Sequence, residues 1–216
     1  ISNLVDSSPG ALNTLNELAA ALGDDANFST TVTNSIATKL PLAGGTMTGD
    51  LTLSTDATIN GLTVGKGTNS VSTNTAIGLN ALNGAVTGVY NTAVGTDTLE
   101  ANTSGNNNAA FGTDALKANT TGIKNTGIGA EALLKNQTGD ANVALGCDAL
   151  VENVSGNDNT AIGFYSLNKT TGGNNTAVGR AAVESNTSGN YNVGIGVQAL
   201  GLNTTASSNV AVGWKA

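Results

Sequence analysis

One short phrase is written nine times between Asn74 and Ala216. The phrase is Asn-(Thr/Val)-Ala-(Ile/Val)-Gly, and it starts at Asn74, Asn91, Asn108, Asn125, Asn142, Asn159, Asn175, Asn192 and Asn209. The steps between starts are 17 residues seven times and 16 residues once. A fixed short period means stacked, near-identical units, none able to bury its apolar face alone. Such a chain works through the outside of a rod, or through being a rod.

The columns of the repeat read directly. The fourth position is large and apolar: Ile77, Val94, Phe111, Ile128, Leu145, Ile162, Val178, Ile195 and Val212. The ninth carries Leu82, Leu99, Leu116, Leu133, Leu150, Leu167, Val183 and Leu200. The third is always Ala or Gly, and the fifth always Gly. A second turn, Asn-Thr-(Ser/Thr)-Gly, recurs at 102–105, 119–122 and 186–189. Each repeat therefore reads as strand, Gly turn, short apolar strand and Asn/Gly turn, giving one coil with two rungs. Coils stack at roughly 4.8 Å, so nine make a rod of about 40 Å. The fold class is mainly β, a parallel β-roll or β-solenoid over 74–216.

Side chains alternate along a strand. With the fourth position taken as the coil's own core, the Ala/Gly third column would face a closely approaching neighbour, and a second copy of the chain is the economical choice. Two large apolar side chains per coil fall well short of the cost of ordering it, which also favours an oligomer.

Upstream the character changes. Residues 9–23 read as a helix, with Ser8 as cap, Pro9 in the first turn and Gly23 at the end. Leu12, Leu15, Ala19 and Leu22 keep heptad spacing, the narrow stripe of a coiled-coil seam. A second helix carries Phe28, Val32, Ile36 and Leu40 and stops at Pro41. Residues 1–41 thus form a helical shaft segment, and residues 42–73 a β transition. In that transition Leu51–Ser54 reads as a short strand, and Asn60-Gly61 joins Ala57–Ile59 to Leu62–Val64 as a hairpin.

Composition excludes several functions. Charged residues are 11% and aromatics 3%, low for a globular enzyme, and the net charge is −7. Eight Lys and Arg with no basic stripe argue against nucleic acid as partner. The chain has no His, which removes His-based catalysis and His metal sites. Cys147 is alone, so no intrachain disulfide forms. No apolar run reaches the ~20 residues of a membrane helix. No cofactor is implied. The chain begins at Ile1 rather than Met, which reads as a piece of a longer product.

Two stretches resemble known families. Pro9-Gly-Ala-Leu-Asn-Thr-Leu-Asn-Glu-Leu-Ala-Ala-Ala-Leu-Gly-Asp-Asp, with Leu42-Ala-Gly-Gly-Thr-Met-Thr-Gly-Asp-Leu-Thr-Leu, resembles shaft segments of tailed-bacteriophage tail fibres. The Asn-Thr-Ala-Ile-Gly repeat resembles the heads of trimeric autotransporter adhesins (YadA-like) and similar repeats in phage fibres. Those heads are left-handed parallel β-rolls formed as intertwined homotrimers. The repeat here is longer than the adhesin unit, so a longer outer turn is expected. The resemblance implies a homotrimeric virion fibre, extracellular, contributing to host-cell attachment. Its partners would be two further copies of itself, other tail-fibre or baseplate proteins, and a glycan or protein of the host surface. A bacterial surface adhesin, a fibre-borne polysaccharide-degrading enzyme and, remotely, an ice-binding solenoid are the alternatives. The enzyme would need a carboxylate pair facing a groove.

Candidate sites lie on the repeat. The nine first-position Asn residues read as an internal amide ladder. In the second position Thr75, Thr92, Thr126, Thr160 and Thr176 exchange with Val143, Val193 and Val210, which reads as a half-buried β site rather than a ligand array. The seventh position stacks Asp97, Asp114, Glu131 and Asp148 on consecutive coils, either as a weak cation site or as a solvated stripe with Lys117 and Lys135 nearby. Sequons at Asn102, Asn119, Asn136, Asn153, Asn186 and Asn203 coincide with the turn column and read as turn chemistry. Phe164 and Tyr165 break the repeat in the coil that is one residue short. They read either as a receptor contact or as filler for the missing residue. Tyr90, Tyr191 and Trp214 complete the exposed aromatics, and Trp214 is placed to cap the roll.

Overall fold

The computed structural model describes residues 55–216. Both predicted helices and the strand at Leu51–Ser54 lie outside the described residues. Eleven short strands form one sheet in chain order. They are β1 (Ala57–Ile59), β2 (Leu62–Gly65), β3 (Thr75–Ile77), β4 (Thr92–Val94), β5 (Ala109–Phe111), β6 (Thr126–Ile128), β7 (Val143–Leu145), β8 (Thr160–Ile162), β9 (Thr176–Val178), β10 (Val193–Ile195) and β11 (Val210–Val212).

The hairpin forms where Asn60-Gly61 demanded it. Ile59 pairs with Leu62, and Asn60 (φ 50°) and Gly61 (φ 82°) both turn through the left-handed region that this tight turn needs. β2 then pairs antiparallel with β3, so the hairpin is continuous with the roll. From β3 onward every neighbour is parallel and in register, Thr75 on Thr92, Ala76 on Ala93, Ile77 on Val94, and so to β11. The solenoid expectation holds, at one coil per repeat.

The second rung does not form a strand. The residues around each ninth-position Leu run through a turn, with Leu82, Leu99, Leu116, Leu133 and Leu150 at φ between 50° and 56°. A Leu pays for that conformation, and burial holds it there, because these side chains are fully buried.

The facing of the strands is also reversed. Ala93, Ala110, Ala144, Ala161 and Ala177 of the third column have no exposure, whereas Phe111 (40%) and Leu145 (44%) of the fourth face out. The reason is the width of the coil. The ninth-column leucine already fills the space up to the strand: a Cβ added at Gly127 would meet Leu116 at 3.4 Å. Only Ala or Gly fits between, so the large fourth residue has no room inside. Gly194 makes the point by exception. Its missing Cβ would sit 2.5 Å from Cγ2 of Val183, the β-branched residue that replaces Leu in the ninth column.

Close stacking fixes the fifth-position glycines. Gly112 has φ 132°, and a Cβ there would meet the Gly129 carbonyl oxygen of the next coil at 2.6 Å. The rest of the interior is polar and paired. Asn108 donates Nδ2–H to the Gly122 carbonyl (2.9 Å), and its Oδ1 accepts from the Asn125 backbone N–H (2.9 Å). A second ladder runs along the sequon column, where Asn119 donates to Asn102 Oδ1 (2.9 Å) and to the same Gly122 carbonyl (3.1 Å). At Gly105, Gly122, Gly139, Gly156 and Gly189 one glycine oxygen thus receives both ladders. Among the described residues no buried side-chain polar atom lacks a partner, which is what makes fully buried Asn columns tolerable. The sequon asparagines from Asn102 to Asn186 are therefore structural.

The one short coil keeps strand register, Thr160 on Thr176. Gly156 and Gly172 still stack, and Asn186 donates to Thr170 Oγ1 (2.6 Å) in the ladder position. The missing residue therefore lies in the outer turn, where Thr171 alone stands between Thr170 and Gly172.

Candidate binding surfaces

Three arrays line the outside of the roll. The first is the outer face of the parallel sheet. Its fourth-position column is apolar on every coil, from Ile77 to Val212, with Ile128 (39%) and Ile195 (42%) typical in exposure. Beside it the second column places Thr92, Thr126, Thr160 and Thr176 half-buried, alternating with Val143 and Val193. A continuous apolar stripe along the whole length of a rod is far more than the scattered exposed residues of an ordinary surface.

The second array is the corner after each fifth-position glycine. Asp97, Asp114, Glu131 and Asp148 all have φ between 54° and 59°. The left-handed region favours Asp and Asn, whose short polar side chains suit it. The acidic column is thus explained by backbone geometry, and Asn80 occupies the same corner on the first coil. Lys117 sits between charges, with Nζ 2.9 Å from both Asp97 and Asp114 and 3.6 Å from Glu100. The Asn80 side chain donates to Asp97 (2.9 Å) and, with Lys117, holds its carboxyl below the ordinary value. The Lys117 ammonium is pushed up by its bonds to Asp114 and then Asp97. Lys135 turns instead to Glu152 (2.8 Å). Among the described residues no three acidic, His or Cys side chains are grouped to hold a metal ion.

Phe164 and Tyr165 occupy the sixth and seventh positions of this corner. Their rings meet edge to face with centroids 4.3 Å apart, and Phe164 is 47% exposed. The deletion is in the opposite turn, so the pair does not fill its gap. Cys147 stands one coil earlier in Phe164's column, exposed, its thiol held up by a hydrogen bond to Asp148 and by partial desolvation. Trp214 ends the column at 73% exposure with Lys215 Nζ 4.8 Å from its ring centroid, and it does not cover the core. What sequence reasoning missed is Arg180, exposed in the sixth position of the coil after Phe164. Its signal was available, since it is the only arginine in the chain.

The third array is the outer turn with its flanking Thr, Ser and Asn residues, bearing exposed Tyr90 and Tyr191.

These features define a single-sheet parallel β-solenoid with an apolar flank. No family model matches the chain, and no solved structure matches it. A probable tail fiber protein of Escherichia phage P2 is 73% identical over 41 residues, which cover 19% of this chain and 6% of that protein. The partial match and the solenoid together support a tail-fibre role and a place in the virion.

Proposed function

We propose that this chain is a non-enzymatic segment of a bacteriophage tail fibre, assembled as a homotrimer and contributing to host-cell attachment. The observation that carries the assembly is the unbroken apolar fourth column, which a lone chain leaves in water over nine coils. A rod with one such flank covers it by packing flank to flank with identical copies around an axis parallel to the stack. Three copies follow the resemblance to adhesin heads and the heptad spacing near the N-terminus. From side-chain alternation alone the Ala/Gly column was expected at this interface. With the strand facing reversed, the interface falls to the large fourth column, and the case for self-association becomes stronger. Other tail-fibre or baseplate proteins would hold the segment in the virion. Phe164 and Tyr165 serve as the contact for a host-surface molecule, since they are the largest departure from the repeat on an exposed corner.

Light scattering coupled to size exclusion tests the assembly. The expected mass for residues 1–216 is three times 21.2 kDa. Ile128→Glu with Leu145→Glu, placed on adjacent coils of the flank, is expected to give monomers. A wild-type monomer at micromolar concentration would sink the trimer.

A further inference from the structure

The corner column changes sign along the rod. It is acidic from Asp97 to Asp148 and has no carboxylate on the described coils after that. At the change stand Phe164 and Tyr165, and on the next coil Arg180. The two coils are joined by the Ala181 N–H donating to the Phe164 carbonyl (2.8 Å), so Arg180 and Phe164 are stacked neighbours in one column, one rung apart. Arg180 is exposed. Among the described residues the ion pairs belong to Lys117 and Lys135, and Arg180 makes none. Asp148 lies one rung to the other side of the aromatic pair, linked through the Tyr165 N–H to the Cys147 carbonyl (3.2 Å). Arg180 and Asp148 thus bracket the rings about 10 Å apart, two rung spacings.

From this bracket we infer that Phe164, Tyr165 and Arg180 form a binding site for an acidic saccharide of the uronic-acid class. The inference rests on the reading of the aromatic pair as a contact surface and supplies its ligand. A pyranose ring has an apolar C–H face that packs on an exposed aromatic ring, removing both from water. A planar guanidinium matches a carboxylate with two parallel hydrogen bonds. Asp148 accepts from sugar hydroxyls at the far side and repels the carboxylate, so it orients the ring with its acid toward Arg180. The net charge of −7 does not forbid this. At physiological salt the screening length is about 8 Å, so the ligand feels chiefly the charges of the nearest coils.

Titration calorimetry of the whole chain tests the inference, with a hexamer of galacturonic acid as acidic probe and maltohexaose as neutral control. The hexagalacturonate is expected to bind and the maltohexaose not. Arg180→Gln and the double variant Phe164→Ala/Tyr165→Ala are each expected to weaken binding at least ten-fold, with unchanged melting. Arg180→Lys is expected to restore only part of the loss. Absence of hexagalacturonate binding, or equal affinity in Arg180→Gln, overturns the inference. Binding of maltohexaose that is lost in the aromatic variant but kept in Arg180→Gln overturns it too, while leaving the aromatic contact standing. Binding of hexagalacturonate unaffected by the aromatic variant removes both readings.

Discussion

Inside and outside of the same coil obey different rules. The interior repeats with little change: Ala in the third column, Leu in the ninth, Asn in two ladders, all without exposure through the middle coils. The sixth position, at the corner a few residues away, varies from coil to coil apart from one Thr pair, passing through Leu79, Thr96, Thr113, Ala130, Cys147, Phe164, Arg180, Val197 and Trp214. Both regions stack at the same spacing, so stacking alone does not impose sameness. Sameness follows from having no free volume and no free water. An interior side chain meets its counterpart above and below, and a change in one coil is felt in two others. A corner side chain meets solvent and can be rewritten one coil at a time.

That contrast can be broken or sharpened by substitution, from the heaviest expected effect to the lightest. Leu116→Ala removes a fully buried side chain between two identical ones, and is expected to cost about 2–5 kcal/mol in denaturant unfolding. Thr113→Ala in the corner of the same coil should stay within about 0.5 kcal/mol. Equal losses in the two would end the distinction. Asn125→Ala leaves the Asn142 N–H (3.0 Å) and the Gly139 carbonyl (2.7 Å) without this partner, and an expected loss of about 1–3 kcal/mol can be read from the same unfolding curves. Next comes Gly194→Ala, expected to lose about 1–3 kcal/mol by overpacking against Val183. In a double-mutant cycle with Val183→Ala the two losses should not add, and strict additivity would mean that the contact is not the cause.

The lightest effect belongs to the corner charges. Asp97 is held below its ordinary pKa, so its contribution to stability is present above about pH 4 and is lost as pH falls through the lowered value. Lys117 is held above its ordinary value, so its contribution is present below about pH 10 and disappears only above that. Both side chains remain partly open to solvent, which keeps the effect small. Melting temperatures from about pH 7 to about pH 3 should fall slightly more steeply for the wild type than for Lys117→Met. Parallel slopes would show that the pairs contribute nothing to folding.

Much of the fold was legible because the repeat exposes its columns. Period, in-register stacking, the Asn60-Gly61 hairpin, the buried ninth leucine and the amide ladder all follow from residue type at fixed spacing. Which of the third and fourth positions points inward did not follow. Alternation says only that they oppose each other, and the habit of placing the larger residue inside fails in a coil so thin that Leu116 reaches the opposite strand. The second rung was misread as a strand because its apolar residues carry no mark of a left-handed backbone. The acidic column carried such a mark: Asp, and once Asn80, at a repeating corner is turn chemistry before it is a metal site. Phe164 and Tyr165 were visible as departures from the repeat. Arg180 was overlooked because a single charge has no period.

The short coil kept its strand in register while losing a residue from the outer turn. Each coil is therefore joined to its neighbours through the same strand register, even where a side chain of the ladder or core differs. Duplication or loss of one coil by recombination would lengthen or shorten the rod by about 4.8 Å and leave that register undisturbed. A gene built this way carries an adjustable ruler, able to change how far a fibre reaches without redesigning what it carries.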